Sequence, residues 1–386
     1  MGLDLSCTTS PDISIFGSYP VRGGVQRQMA NVIKVWTDQG LRVEIISFRN
    51  GVCFYPEEIA HRVSFVDLQT RSKWTTLIAL WRHLRRSRPA IVMSTAHLAN
   101  TILARLGYLP ETGARRFVSV PNTFGQSRKR QGRAQSRKLA EVRRLYQRTD
   151  GVIAVSNGVK RDLVETIGVT GVPVHCVFNG VVTQENLRRA SESVDHPWLA
   201  ATPDKIPVVI TVGRLAPQKD HTRLIEAVAR LRADRAVRLI ILGDGPLRAR
   251  LLEIAARHEP PENWLALPGF VDNPFAWMTR SDVFVLSSIW EGFGNVLAEA
   301  MGLGVPVVST DCPSGPADML DGGRFGHLVP IEDTDALTHA IRRTLDGDTP
   351  SFDTAEAVSE FTAETAARRY LEVFELNTVR RRQGRQ

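Results

Sequence analysis

Short apolar runs alternate with amphipathic stretches of helix length along this chain, and the alternation runs twice with a polar interval between. In the first pass the apolar runs are Ile13–Phe16, Val43–Ser47, Ala90–Ser94, Phe117–Val120 and Gly151–Val155. Continuous apolarity over four or five residues marks strands buried on both faces, as in a parallel sheet. Helical stretches at Val25–Gln39, Lys73–Ser87 and Asn157–Ile167 separate them. The second pass has strands at Val208–Val212, Arg238–Leu242, Trp264–Leu267, Val283–Ser287 and Pro306–Ser309, with helices at His221–Leu231, Leu247–Arg257 and Asn295–Met301. The interval "LRRASESVDHPWLAATPDKIP", Leu187–Pro207, is polar and proline-bearing and reads as a connector.

Two such series predict an α/β protein of two doubly wound, Rossmann-like domains facing across a cleft. The first domain takes residues 1–186, the linker 187–207 and the second domain 208–361; a last helix, about 362–376, can belong to either half and pack back on the first. A length of 386 residues suits two cores better than one. Ligands of such sheets sit beyond the carboxyl ends of the strands.

Charge divides with the same boundary. In residues 1–190, 28 Lys and Arg face 13 Asp and Glu, leaving 21 against 28 in the remainder. The first half therefore expects an anionic partner. Cys7, Cys53, Cys176 and Cys312 have no metal-ligand spacing and read as reduced thiols. The start "MGLDLSCTTSPDIS" lacks the basic and apolar segments of a secretory leader. No window approaches the ~20 apolar residues of a membrane span. A cytoplasmic protein is expected.

The chemistry collects after the strands of the second series. Val208–Val212 is followed by "GRLAPQKD", which places Arg214 and Lys219 in one short loop before a helix that Asp220 can cap. Arg238–Leu242 is followed by the tight turn "GDGPLR". Val283–Ser287 leads into "IWEGFGNVLAEAMGLGVPVVSTD", where Glu291 and Glu299 bracket a glycine-rich bend. Two fixed cations and glycine amides at a helix N-terminus suit a diphosphate. A carboxylate repels phosphate, so the two glutamates should bind hydroxyls on either side of it, a nucleoside on one and a sugar on the other. Taken singly, a loop glutamate and a helix glutamate are ordinary surface charges; their convergence with Arg214 and Lys219 on one sheet is not.

At this point the chain resembles a family 4 retaining glycosyltransferase of the GT-B fold. The matching strings are "GGVQRQMANV", "IAVSNGVKRDL", "VFNGV", "VGRLAPQKD", "ILGDGPLRARL", "LPGFVDNP" and "SSIWEGFGNVLAEAMGLGVPVVSTDCPSGPADML", in the family's order over roughly residues 13 to 345. The resemblance implies that Arg214 and Lys219 bind the donor's diphosphate and that Glu291 holds hydroxyls of the transferred sugar. Gly292, Phe293, Gly294 and Asn295 would give amides to sugar and phosphate, with Val296 beside them. Glu299 would accept from the ribose, and the Gly269–Phe270–Val271 backbone would meet the base. Gly213 and Gly243 would line the donor site, and Gly23 and Gly24 would approach the donor from across the cleft. Where many relatives carry a histidine after the fourth strand, this chain reads "VSVPNTF", so Pro121 or Asn122 takes that place. Asn122 can donate and accept hydrogen bonds but cannot act as a base. His97, after another first-domain strand, compensates or is merely satisfied near the strand end. Asp318 stands where close relatives more often have Glu.

The implied activity is transfer of a hexose or N-acetylhexosamine, with retention, from a nucleotide sugar with UDP as the expected nucleotide. The implied acceptor is a saccharide or a lipid-linked saccharide of the cell envelope. No metal and no cofactor beyond the substrate are expected: Asp333-Thr334-Asp335 and Asp346-Gly347-Asp348 flank a late helix and read as caps and turns. A catalytically silent nucleotide-sugar-binding protein and a GT-B epimerase are the alternatives; intact Arg214, Lys219, Glu291 and Glu299 count against both.

Residues 126–148, "QSRKRQGRAQSRKLAEVRRLYQR", hold nine Lys and Arg against Glu141 alone. Leu139, Val142 and Leu145 have helical spacing, so one face should pack while the other stays basic. No interleaved aromatics or nucleic-acid-binding signature accompany it, so nucleic acid is not the expected partner. An anionic membrane surface, met peripherally through Arg128–Arg148, is.

Overall fold

The computed structural model describes residues 10–17, 23–48, 57–124, 133–200 and 205–376. Residues 1–9, which include Cys7, and also Cys53 and the basic residues Arg128, Lys129 and Arg130, lie outside the described residues. The chain divides into two compact units, Met1–Gly180 with Ala363–Gln386, and Val181–Thr362.

The first unit holds seven parallel strands: β1 Ile13–Phe16, β2 Val43–Ser47, β3 Ser64–Asp67, β4 Ile91–Ser94, β5 Arg115–Val120, β6 Gly151–Ala154 and β7 Val174–Cys176. Their order is β3-β2-β1-β4-β5-β6-β7. Ile13 lies opposite both Val43 and Ile91, so the apolar runs align at the sheet centre. The second unit holds β8 Val208–Val212, β9 Arg238–Leu242, β10 Leu265–Gly269, β11 Val283–Leu286, β12 Val307–Thr310 and β13 His327–Val329, in the order β10-β9-β8-β11-β12-β13. Every pairing is parallel. In each sheet the order in which strands are added therefore reverses once, between β1 and β4 in the first and between β8 and β11 in the second.

The final helix, Ala363–Phe374, belongs to the first unit. It packs on the helix Gly24–Asp38, where Trp36 Nε1 donates to the Ala367 carbonyl at 3.1 Å and the Trp36 ring meets Tyr370 edge-on. Phe374 reaches Phe117 on β5, with ring centroids 4.9 Å apart. These aromatic contacts bury the apolar stripe that the helix period places on one face.

Three expectations need correction. The connector Leu187–Pro207 is not a free linker: Leu187–Ala190 completes a helix, Gln184–Ala190, capped by Thr183. That helix is tied to the second unit by Arg189 with Asp272 at 2.9 Å and by Asn273 Nδ2 donating to the Arg189 carbonyl at 2.8 Å. Only Asn186 and Ala190 of it are buried, so a helix docked on one narrow face reads as a polar loop. The division accordingly falls at Gly180/Val181 and Thr362/Ala363 rather than at 186 and 361. The helix expected over Asn157–Ile167 is α-helical only to Arg161 and widens to a π-helix over Asp162–Ile167, ending at left-handed Gly168. Third, Ser64–Asp67, Val174–Cys176 and His327–Val329 add three strands that carry no apolar run.

Among the described residues no helix is long and apolar enough to cross a membrane.

Candidate active site at the switch point of the second sheet

The loops that follow β8 and β11 flank the point where the second sheet reverses, and such a crevice is where doubly wound sheets take ligands. The chain leaves β8 through Gly213, exposes Arg214, and buries Leu215 before a short 3-10 turn, Pro217–Lys219. Asp220, in left-handed backbone at φ 42°, caps the helix His221–Arg232 by accepting from the Arg223 amide, as its place in the sequence predicts. The loop after β11 returns beside this turn and is stitched to it. The Ile289 amide donates to the Gln218 carbonyl at 2.8 Å, and Gln218 Nε2 donates to the Trp290 carbonyl at 2.8 Å.

This stitching brings Lys219 and Glu291 together: Lys219 Nζ lies 2.6 Å from Glu291 Oε1, with both side chains largely buried. A lysine has three N–H donors, so two remain for another anion. Ser288 Oγ donates to the same Oε1 at 2.6 Å, and Thr310 Oγ1 donates to the Ser288 carbonyl at 2.6 Å. Ser288 and Thr310 lie within the matching string that begins at Ser287, but nothing in the sequence gives either a role, because serine and threonine at strand ends usually serve turns.

Beyond Glu291 the glycine bend turns into the helix Asn295–Gly302. Gly294 takes φ 99°, left-handed backbone that favours glycine, and no side chain caps this end. Gly315 presses against the bend from the loop after β12: a Cβ there would stand 1.8 Å from the Phe293 carbonyl oxygen. Glu299 is 1% exposed, one turn inside the helix, and so is no surface charge. Phe293 is buried edge-on against Phe361, leaving its backbone as the part that can meet a ligand. Asn295 and Val296 are half-buried at the helix start.

The other donor-side glycines stack on this loop. Gly243, after β9, has φ 135°, and a Cβ on it would lie 2.0 Å from the Gly213 carbonyl oxygen. The Gly243 amide donates to the Gly269 carbonyl at 2.8 Å, which ties in the end of β10. There Phe270 is 68% exposed and Val271 half-buried. Gly213, Arg214, Lys219, Gly243, Gly269–Val271 and Glu291–Glu299 thus gather at the carboxyl ends of four adjacent strands.

His221 lies beneath the Arg214–Lys219 loop, 2% exposed, and among the described residues neither ring nitrogen has a hydrogen-bond partner. Burial pushes its pKa down to about 4, Lys219 adds to the effect, and the nearby Gly213 and Arg214 backbone opposes it without closing a hydrogen bond. The ring is neutral at pH 7. Cys312, buried in the loop after β12, has its thiol pushed up to about 12 by burial and is inert.

Gly23, Gly24, His97 and Asn122 lie in the first unit. Gly23 and Gly24 open the helix Gly24–Asp38. His97 begins the helix His97–Arg105 directly after β4, at that sheet's own switch point. Its ring meets Phe124 edge-on at 5.6 Å, and partial burial, then Lys138, hold its pKa below the ordinary histidine value. Asn122 is exposed after β5, the neighbour of β4. Asp333 caps the helix Thr334–Leu345, while Asp335, Asp346 and Asp348 pair with Arg230, Arg235 and Arg343.

Residues 22–185 match the family model described as Glycosyltransferase Family 4, and residues 206–347 the one described as Glycosyl transferases group 1. A GDP-mannose-dependent alpha-mannosyltransferase of Mycobacterium tuberculosis is 32% identical over 301 residues, 72% of this chain and 73% of that protein. The N-acetylgalactosamine-N,N'-diacetylbacillosaminyl-diphospho-undecaprenol 4-alpha-N-acetylgalactosaminyltransferase of Campylobacter jejuni is 31% identical over 204 residues. That match spans 53% of each protein, about half the relative's length. Among solved structures, Anabaena HepE in complex with UDP aligns with a TM-score of 0.74 at 17% identity, covering 94% of this chain and 99% of that one. The chain belongs to glycosyltransferase family 4, and its fold is GT-B.

Proposed function

We propose that this protein is a retaining glycosyltransferase that moves a hexose or N-acetylhexosamine from a nucleotide sugar to a saccharide or lipid-linked acceptor in cell-envelope glycan synthesis. The observation that carries the reading is the Lys219–Glu291 pair, 2.6 Å apart at the switch point, beside exposed Arg214 and an uncapped helix N-terminus. Breaking the bond from the anomeric carbon to the diphosphate leaves charge on the diphosphate. Arg214 and the two remaining N–H groups of Lys219 take up that charge, and the amides at Gly292–Asn295 add to it. Glu291 holds hydroxyls of the sugar and Glu299 those of the ribose; the base lies along Gly269–Val271.

The acceptor hydroxyl attacks on the face that the diphosphate leaves, and a diphosphate oxygen takes its proton, so the sugar keeps its configuration and no protein base is needed. The reaction as read needs no metal, since the cations are the protein's own. UDP is the proposed nucleotide. The Mycobacterium relative's name gives GDP-mannose, which makes GDP-sugars the necessary comparison.

The acceptor reading joins the Campylobacter relative, named for a diphospho-undecaprenol acceptor, to the basic surface of the first unit. The helix Arg133–Tyr146 buries Val142 and Leu145 and exposes Arg137, Lys138, Arg143 and Arg144. The helix Lys73–Ser87 has no acidic residue and exposes Trp74 at 71%. Basic side chains with an exposed tryptophan suit an anionic bilayer surface. Incubation with a panel of UDP- and GDP-sugars tests the activity: slow release of nucleoside diphosphate without acceptor is expected from one of them. Binding with no release from any donor would leave a silent binding protein, and a new nucleotide sugar would make it an epimerase.

A further inference from the structure

Two buried serines, Ser287 and Ser288, sit directly after β11, and each holds one half of the Lys219–Glu291 pair. Ser287 Oγ donates to the Lys219 main-chain carbonyl at 2.8 Å. Ser288 Oγ donates to Glu291 Oε1 at 2.6 Å, the same oxygen that Lys219 Nζ approaches at 2.6 Å. Both serines are at most 2% exposed, so neither hydroxyl is shared with bulk water. Thr310, on β12, fixes the arrangement from behind: its Oγ1 donates to the Ser288 carbonyl at 2.6 Å and lies 3.3 Å from that of Leu286. The hydrogen bonds thus run from β12 through the loop after β11 to the turn after β8, across the strands that bound the switch point.

We infer that Ser287 and Ser288 are positioning residues that fix the lysine–glutamate clamp, Ser288 by holding Glu291 Oε1 so that Oε2 is the oxygen offered to the sugar, Ser287 by fixing the lysine's backbone. A carboxylate that rotates freely presents either oxygen to any hydroxyl in reach. With Oε1 occupied by two donors, the remaining oxygen has one direction, and the hydroxyls it accepts from must match it. Ser288 thereby acts on the sugar and not on the nucleotide, and Ser287 acts through Lys219 on the diphosphate. This inference rests on the functional reading above, in which Glu291 faces the sugar.

The test measures two quantities for the same variants: affinity for UDP alone by calorimetry, and release of UDP from the UDP-sugar that the wild-type protein hydrolyses fastest. If GDP-sugars prove to be the donors, GDP replaces UDP throughout. Ser288→Ala should leave nucleoside diphosphate affinity within about twofold and reduce release about tenfold to a hundredfold, as expected for loss of a hydrogen bond to a charged group. Ser288→Cys, close in size and a weak donor, should fall between. Ser287→Ala should weaken the nucleoside diphosphate itself. In a Glu291→Ala background, Ser288→Ala should have no further effect, because the two act as one unit. Equal losses of nucleotide affinity and release in Ser288→Ala, or additive losses in the Glu291→Ala background, would overturn the dyad's role while leaving the transferase reading in place. A wild-type protein that binds neither UDP nor GDP would overturn both.

Discussion

Arg214 and Lys219 share a proposed role but differ in what surrounds them, and their variants should differ accordingly. Arg214 is exposed, whereas Lys219 is enclosed with Glu291. Removing either donor to the diphosphate should reduce turnover a few hundredfold or more, since one such group contributes about 3–4 kcal/mol. Lys219→Ala also leaves a buried carboxylate without its cation, a change that typically destabilises by about 3–5 kcal/mol. Thermal melting should therefore drop for Lys219→Ala and stay put for Arg214→Ala; unchanged turnover in both variants would refute the leaving-group role. His221 offers a test with a definite sign. Its folded pKa of about 4 lies below the unfolded value of 6.5, so between these the unfolded chain binds a proton that the folded chain refuses. The histidine's contribution is complete above pH 6.5 and is lost as pH falls toward 4, by up to about 3 kcal/mol. Among the described residues both ring nitrogens lack partners, so His221→Leu should not weaken the fold at pH 7 and should flatten the decline of melting temperature between pH 6.5 and 4. A variant that declines as steeply as the wild type would contradict this.

At the level of elements, the loops at the second sheet's switch point are packed backbone on backbone, and glycine is what lets them approach. Gly243→Ala would drive a Cβ into the Gly213 carbonyl oxygen, 2.0 Å away, at a backbone φ of 135°. Something must move, and one side of the contact is the segment carrying Arg214. Loss of nucleoside diphosphate binding, measured by calorimetry, is the expected outcome, together with a lower melting temperature. Full binding would mean that the loop does not depend on this contact. The same elements show what was legible in the sequence. β8, β9 and β11 were read to within a residue because strands buried on both faces leave unbroken apolar runs, and the loops after them stood out because glycine, arginine, lysine and glutamate are chemically specific. β3 was missed because it is an edge strand whose Ser64, Phe65 and Asp67 are exposed. β7 and β13 have three residues each, too few for any period to register. The helix Gln184–Ala190 was lost in a polar stretch since it buries two residues only. Ser287, Ser288 and His221 were illegible for another reason: Ser287 acts on Lys219, 68 residues away, Ser288 shares its Glu291 oxygen with that same lysine, and the burial of His221 is set by the loop folded over it.

For the molecule as a whole, the uneven distribution of charge is the feature that the proposed active site does not use. Residues 1–190 carry 28 Lys and Arg against 13 Asp and Glu, while the remainder is acidic. In the first unit the helix Arg133–Tyr146 has its apolar face satisfied by burial of Val142 and Leu145, and Glu141 is paired with Arg105. What it offers outward is Arg137, Lys138, Arg143 and Arg144. Each cation near an anionic bilayer contributes about 1 kcal/mol, so four that reach it together would give about 4 kcal/mol, a partition change on the order of a thousandfold. The attraction decays within a Debye length, so it must fade as salt rises above physiological strength. Trp74 is separable from it, because a tryptophan at the interface contributes through apolar area that salt does not screen. Flotation with vesicles containing anionic lipid should therefore recover the protein at low salt and lose most of it at 0.5 M salt (about 4 Å of screening length). Replacing Arg143 and Arg144 by Glu should abolish recovery at low salt, and Trp74→Ala should weaken it by a factor that does not change with salt. No recovery on either neutral or anionic vesicles would remove the membrane from the account of how this protein meets its acceptor, whereas equal recovery on both would remove only the role of charge; in either case the charge of the first unit returns to the acceptor itself.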